Sequence, residues 1–339
     1  MDLTKPPLRP LEGIVAGLMA GGVLYCVRPQ WFGELNAGAD YAVQLMLGYL
    51  ALGLLFLVLK RPRLTFVSFL GCAVLALFLR NSVTSSNAAP PPAAGDPLWA
   101  TLGKSSTAHF SIAHFNLSNA TANVSGALQA MRYSDADLLS VQELTPLWTQ
   151  LLLDSLKDIY PYYTYIEDIG MFGLAIFSRH ELCELDTFYF RGVPNLSGCV
   201  WTEGGREIHF FTTHTFPALD KISARHQQQH LRVVEDYLAA RNLSRPLLVF
   251  GDFNAVPWSN EMLSLRKAAN LLDSRTGFMN TYNDGQVSFF DIPYDHIFFS
   301  PEFRCMEFKT LNAPDAWHLG IQGYYRFKAP GYELESKVQ

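Results

Sequence analysis

The chain has no surplus of positive charge: 26 Lys and Arg stand against 31 Asp and Glu, a formal net charge of −5. Affinity for nucleic acid that ignores sequence comes mainly from Lys and Arg neutralising phosphates, so this balance argues against a basic, indiscriminate nucleic-acid binder. Cysteine is scarce as well. Of the five, Cys26 and Cys72 lie in apolar runs, and only Cys183, Cys199 and Cys305 lie outside them. No pair has zinc-finger spacing. In an oxidising compartment Cys183 and Cys199, in strand-like stretches separated by residues 192–198, could bridge adjacent strands; the alternative is a pair of free buried thiols.

Charge is sparsest in residues 1–80, where three apolar runs span about 11–27, 41–59 and 64–79. A helix crossing the hydrocarbon core needs about 20 apolar residues, somewhat fewer if its ends are anchored. The second run is the strongest candidate; the first, with Glu12 and several glycines, is the weakest. A cleaved signal peptide would account for the first run alone and leave the other two in water with no polar face, so the expectation is an anchor of about three transmembrane helices in a lipid bilayer. Lys60, Arg61 and Arg63 crowd the loop between the second and third runs, whereas the loop 28–40 also carries Glu34 and Asp40. Basic loops stay cytoplasmic, which puts everything after Arg80 outside whether or not the first run spans. The expected location is a multi-pass place in the inner or plasma membrane, with the remaining domain periplasmic or extracytoplasmic.

Residues 81–103 are rich in Ser, Asn, Ala and Pro and read as an extended linker; 329–339 form a tail. Between them, 104–328 alternates strand-like segments (108–116, 136–142, 173–177, 182–190, 199–202, 208–213, 247–250, 294–299, 322–327) with helix-like ones (124–133, 147–159, 223–242). Interleaving at this length fits a two-sheet α/β sandwich flanked by helices, although periodicity alone also fits other α/β layers.

The strongest local signal is Val249-Phe250-Gly251-Asp252-Phe253-Asn254, an apolar strand that stops at a glycine and offers an acid and an amide on alternate positions. Alternate residues of an extended segment share a face, so Asp252 and Asn254 point into one space. Glu143 ends the apolar stretch 137–143, and Asn116 follows His114-Phe115. Strand ends that offer Asn, Glu, and Asp with Asn make an oxygen-rich site suited to Mg²⁺ or Mn²⁺ rather than zinc. Two histidines complete an acid/base set: His214 after the strand 208–213, and His318 near the C-terminus, with Asp295 as a carboxylate able to orient an imidazole.

These elements resemble the endonuclease/exonuclease/phosphatase superfamily, which includes deoxyribonuclease I, exonuclease III and bacterial sphingomyelinases. HFNLS (Asn116), DLLSVQE (Glu143), GLAIFSR (173–179), TTHTFPA (His214), GDFNAVP (251–257), YDHIFFS (294–300) and WHLGI (317–321) stand in the family's order. GDFNAVPWS and DSRTGF (273–278) are most similar to bacterial membrane-anchored members with N-terminal spans. The resemblance implies a four-layer α/β/β/α sandwich and a metal-dependent phosphoric ester hydrolase. It implies that Asn116 and Glu143 bind the metal, with Asp252 and His318 completing the set. Asp252 and Asn254 would position the attacking water and the phosphate, Asp295 would orient His318, and His214 would be a second acid/base or phosphate contact. Either His318 is the base with His214 the acid, or Asp252 is the base with His318 on the phosphate. One departure stands out: Trp317 precedes His318 where the family has an aspartate close to the metal, and Asp315 could compensate if the loop bulges.

Plainer readings stand beside these. His214 could be a structural histidine, and His296, adjacent to Asp295, points to the opposite face. His109, His226 and His230 are read as surface or packing residues; Arg225 and Gln228 either contact phosphate or brace loops. Sequons at Asn116, Asn119, Asn123, Asn195 and Asn242 are read as chance, because a sugar on Asn116 would abolish the metal site. The expected substrate is a phosphodiester. Anchor, topology, acidic balance and the aromatic stretch 160–165 with Trp258 favour a phospholipid or sphingolipid. A membrane-tethered nuclease for DNA or RNA, and a catalytically weakened binding protein prompted by Trp317, are the alternatives.

Overall fold

The computed structural model describes residues 10–32, 37–83, 109–118, 123–241, 245–283, 290–312 and 316–328. Nearly all of the expected linker, the tail, Asp315, Asn119 and Asn242 lie outside the described residues.

The N-terminal part is helical: α1 (Pro10–Val27), α2 (Ala37–Asp40), α3 (Ala42–Val58) and α4 (Pro62–Val83). All three apolar runs form helices, but the expectation of three full spans is corrected. Among the described residues only Pro10–Val27 and Pro62–Arg80 are long and apolar enough to cross a membrane, and α3 stops at 17 residues. The run that reads as strongest in sequence is cut short because the chain turns at Tyr41 and again at Lys60, whose φ is 54°. Helices α3 and α4 form an antiparallel hairpin in which Gly71 leaves room for the Tyr49 ring and Gly53 for that of Phe69. The Tyr49 hydroxyl donates to the Met19 carbonyl at 2.6 Å and ties α1 to the hairpin. Glu12, the charge that weakens the first run, is matched by Arg61 at 2.9 Å.

The C-terminal part holds two six-stranded sheets. The first contains β1 (His109–Asn116), β2 (Leu138–Gln142), β3 (Tyr162–Ile166), β4 (Leu174–Ser178), β11 (Phe303–Leu311) and β12 (Gly320–Phe327), in the order β11-β12-β1-β2-β4-β3. The second contains β5 (Leu182–Phe190), β6 (Val193–Trp201), β7 (Glu207–Thr213), β8 (Leu247–Asp252), β9 (Leu272–Asp273) and β10 (Asp295–Phe299), in the order β5-β6-β7-β8-β10-β9. Both are mixed: β1 pairs parallel with β2 and β7 with β8, and the other ladders are antiparallel.

Strand alternation explains the layers. Phe110 and Ile112 of β1, Leu248 and Phe250 of β8, and Ile297 and Phe299 of β10 meet in a core between the sheets. The other parity of β1, Ala113 and Phe115, packs on α5 (Val124–Ser134) and α6 (Pro146–Leu156) through Met131, Trp148 and Leu152. Phe211, Val249 and Phe298 pack on α7 (Lys221–Ala240) and α8 (Asn260–Ala268) through Leu231, Val234, Met262 and Leu265. The result is the four-layer α/β/β/α sandwich. Helix starts are set by side-chain caps: Asn123, Thr145, Ser259 and Asp220, the last in a capping box with Ser223.

Of residues 192–198, which the sequence suggests are a connection, only Gly192 is in the turn; 193–198 are the body of β6, which is buried along Val193–Val200. Its register sets Cys183 opposite Cys199, and the two form a disulfide, which resolves the open alternatives for that pair.

Candidate active site

The inward rows of the sheets turn from apolar to polar at one end of the sandwich. On β1 the row Phe110, Ile112 continues with His114 and Asn116; on β8 the row Leu248, Phe250 continues with Asp252; on β10 the row Ile297, Phe299 begins from Asp295. Because β1 and β2 are parallel, and Asp295 pairs with Asp252 across an antiparallel ladder, these polar ends coincide in space. The same side-chain period that builds the core therefore assembles the site.

Its centre is one carboxylate oxygen. Asn116 Nδ2 donates to Asp252 Oδ2 at 3.0 Å, His214 Nε2 lies 3.6 Å from that oxygen, and His318 Nε2 lies 3.8 Å from it. Asp252 Oδ1 accepts from the backbone of Asn254 at 2.8 Å, and Asn254 Nδ2 donates to the Thr215 carbonyl at 2.9 Å. Asp295 Oδ2 accepts from His318 Nδ1 at 2.8 Å. Glu143, at the end of β2, lies close enough to both His214 and His318 for its charge to raise the proton affinity of each. Every site residue named from sequence thus gathers at this end. Glu143 and Asn254 do so in left-handed backbone, at φ 61° and 47°, a conformation held only where the surroundings fix it.

The environment gives the two histidines opposite protonation. Burial lowers His214 to about 4, against the smaller pull of Glu143. Its Nδ1 faces the Met171 carbonyl at 2.9 Å, which only accepts, so the neutral ring carries its hydrogen on Nδ1 and leaves the Nε2 lone pair toward Asp252. Burial also disfavours charge on His318, but the Asp295 carboxylate and its hydrogen bond override it and raise His318 to about 9. Asp295 is held well below the usual carboxylate range: burial opposes this, and the neighbouring His318 and His114 overcome it. Asp252 rises to about 6 because it is buried and stands beside Asp295.

Several residues that the sequence reading passed over support the site. His114 Nε2 stands 3.5 Å from Asp295 Oδ1, and His114 shares a strand face with Asn116, a signal that was legible. Gln142 spans the sheets, accepting from the Asp252 amide at 2.9 Å and donating to the Thr213 carbonyl at 2.8 Å. That approach requires glycine at 251: its φ is 143°, and a Cβ there would meet the Thr213 oxygen at 2.1 Å. Gln227 of α7 reaches the Asn254 carbonyl. The Tyr282 ring lies 4.9 Å from that of His318. His296 faces away, bonding to Ala255 and Arg275, and His230 is buried against Asn195. The Trp317 side chain is half exposed; its backbone amide donates to Ser118 and its carbonyl accepts from Asn283. Asn116 and Asn195 are buried, which leaves no room for a sugar on either.

The donor set suits a divalent cation. Asp252, Asp295 and His318 offer atoms within 4.8 Å of one another; Asn116 meets them through its amide nitrogen, its Oδ1 accepting from the Ser118 amide, and the Glu143 carboxylate is near enough for its charge to act on His318. Two buried carboxylates whose charges repel are what a cation neutralises.

A two-sheet sandwich whose inner rows end in this set of carboxylates, amides and imidazoles is the architecture of metal-dependent phosphoric ester hydrolases. The model of the Endonuclease/Exonuclease/phosphatase family matches residues 120–316, and the chain belongs to that family, whose members cleave phosphodiester or phosphate ester bonds with a divalent metal. The match starts after Asn116 and ends before His318, so those two positions rest on geometry. No curated protein matches the chain. Among solved structures it is similar to D. rerio TDP2 complexed with a single-strand DNA product, at 17% identity and TM-score 0.54, covering 64% of this chain and 99% of that one. It is similar to sphingomyelinase C from Streptomyces griseocarneus (13%, TM-score 0.50, 64% and 99%). A Bacteroides thetaiotaomicron mannosyl-6-phosphatase gives 19%, TM-score 0.50, 64% and 100%. At these identities the likeness is one of fold.

Proposed function

We propose that the chain is a membrane-anchored phosphodiesterase that uses Mg²⁺ or Mn²⁺ and hydrolyses phosphodiesters of phospholipid or sphingolipid type at the outer face of its membrane. The observation that carries the chemistry is the meeting of Asn116, His214 and His318 at one oxygen of Asp252, with Asp295 behind His318. Cleavage needs neutralisation of a nonbridging oxygen, deprotonation of a water and a proton for the leaving alkoxide. A metal held by Asn116, Glu143 and Asp252 would supply the first. His318, kept cationic by Asp295, holds a proton on Nε2 for the leaving oxygen and, in the alternative, serves as a fourth ligand once deprotonated. His214, neutral with its Nε2 lone pair inward, accepts a proton from water. Asn254, fixed by Thr215, positions the phosphate.

Anchoring is supported by the exposed Leu18, Val58 and Phe66 on the outsides of α1, α3 and α4, apolar surface that water would penalise. The outward placement is supported by Lys60 and Arg61 ahead of α4 with Arg63 in its first turn, and by the Cys183–Cys199 disulfide, which suits an oxidising compartment. A nuclease is the second reading, favoured by the likeness to TDP2 with its DNA product.

Purified full chain with Mg²⁺ or Mn²⁺, assayed on plasmid DNA, RNA and a phospholipid and sphingolipid panel, tests this. Lipid cleavage that is lost in Asp252→Ala is expected. Nucleic-acid cleavage at the rate of a dedicated nuclease overturns the lipid reading, and no cleavage at all points to a weakened binding protein.

A further inference from the structure

The end of the helical anchor from which α4 leaves is not separate from the catalytic domain. Its corner grips the two loops that carry the site. Trp258, four positions after Asn254, is buried and donates its indole N–H to the Ala39 carbonyl at 2.7 Å. The Tyr294 hydroxyl, one residue before Asp295, donates to Asp40 Oδ2 at 3.3 Å, and Gln44 Nε2 donates to the Asp291 carbonyl at 3.4 Å. Val256, Trp258 and Ile292 of the domain share one apolar cluster with Ala39, Ala42, Leu75 and Leu79 of the anchor. From there two rings lead to the site: Tyr294 lies 5.6 Å from Tyr282, and Tyr282 lies 4.9 Å from His318.

The same end of the anchor carries exposed Trp31, Phe32 and Tyr41, the residue types that settle at a membrane–water interface. On the domain, the loops at the site end bear isolated apolar tips. Ile169 is 91% exposed in the loop whose Met171 holds His214, and Leu219 is 83% exposed in the loop that follows His214. Single exposed aliphatics cost little in water, but two at the rim, with half-exposed Trp317 beside His318, give that rim an apolar edge.

We propose that the anchor is part of the catalytic architecture: it clamps the mouth of the site against the bilayer that holds the enzyme, so the enzyme takes a phosphodiester borne on a lipid of that same membrane and not of a neighbouring one. This rests on the phosphodiesterase reading above. It adds a geometric restriction, because a site fixed at the interface by Ala39 and Asp40 meets lipid headgroups already concentrated and oriented in its own plane.

The test uses full-length chain reconstituted into vesicles of phosphatidylethanolamine, phosphatidylglycerol and sphingomyelin, mixed with enzyme-free vesicles of the same composition. The two populations carry distinguishable headgroup labels, and bis-p-nitrophenyl phosphate serves as a soluble diester. Headgroup release from the enzyme-bearing vesicles is expected to exceed release from the others by about ten-fold or more. The double variant D40A/W258F removes two of the three hydrogen bonds of the clamp; it is expected to lower release in the enzyme's own vesicles about five-fold or more while soluble diester turnover stays unchanged. Equal release from both populations, soluble diester turnover with no lipid cleavage, or a double variant with undiminished lipid cleavage overturns the clamp and leaves the phosphodiesterase reading standing. No metal-dependent turnover of any of these substrates overturns both.

Discussion

Replacing Asp295 with asparagine tests the assignment of His318 as a proton carrier. Asparagine keeps the size of the side chain and an oxygen that can accept from His318 Nδ1 at the present 2.8 Å, so the ring stays oriented while the charge is lost. That charge and hydrogen bond, with smaller help from Asp252 and Glu143, raise His318 from 6.5 to about 9 against the effect of burial. A rise of that size corresponds to about 3 kcal/mol in favour of the imidazolium. Without it, burial opposes the charged ring and only Asp252 and Glu143 still favour it, so His318 falls well below 9 and toward its ordinary 6.5. At pH 8 about nine-tenths of a group titrating near 9 is protonated, against about 3% of one titrating at 6.5, so kcat/KM at that pH should fall by as much as about 30-fold. The sign follows: the native enzyme loses its acid as pH rises through about 9, and Asp295→Asn loses it at lower pH, with the gap closing toward pH 6. The assay is kcat/KM for bis-p-nitrophenyl phosphate against pH at saturating Mg²⁺. An alkaline limb that stays in place in Asp295→Asn refutes the argument, as does a loss that is the same at every pH.

Gly251→Ala puts a Cβ 2.1 Å from the Thr213 oxygen at a φ of 143°, and should cost about 3 kcal/mol or more, read as a fall in the denaturant midpoint; an unchanged midpoint would mean the backbones do not approach as described. Burial, with His214 nearby, lowers His230 to about 3, so the unfolded chain takes up a proton at 6.5 that the folded one refuses. Relative to native protein, His230→Gln should therefore gain about 1.4 kcal/mol per pH unit as pH falls below 6.5, beyond any constant cost of the substitution; a gap between the two that is flat in pH contradicts it. Cys199→Ser opens a bridge between residues 16 apart and should lower stability by about 3 kcal/mol, with dithiothreitol producing the same loss in native protein only; a native protein indifferent to reductant would refute the bond.

Much of the domain is readable from local pattern because its strands are buried on both faces or alternate cleanly. The segments 108–116, 182–190 and 208–213 predict β1, β5 and β7 to within a residue. What escaped has a common cause. The strand β3 reads Tyr-Tyr-Thr-Tyr-Ile and is largely exposed, so it carries no core signal. The strand β11 alternates poorly across a bulge between Cys305 and Glu307. The body of β6, Pro-Asn-Leu-Ser-Gly, looks like a turn and becomes a strand because its neighbours on both sides hydrogen-bond to it. In the N-terminal helices, hydropathy identified apolar runs but could not count residues in each helix, because the turns at Tyr41 and Lys60 depend on how the hairpin closes.

By itself the sequence determined the order of the motifs, the acids and amides at or just past the ends of apolar strands, and, for Asn116, Asp252 and Asp295, the face on which each lies. These follow from chemistry and a two-residue period, which need no partner. Glu143 and Asn254 stand beyond their strands in left-handed backbone, where alternation does not place them. Only the tertiary structure decided which strand ends meet. It brought Asn116, His214 and His318 to one oxygen of Asp252, residues spread over some two hundred positions. It left His214 neutral and His318 cationic, since burial and the neighbouring Asp295 act through space. It also joined Ala39 and Asp40 to Trp258 and Tyr294, a contact between segments more than two hundred residues apart that no local pattern encodes.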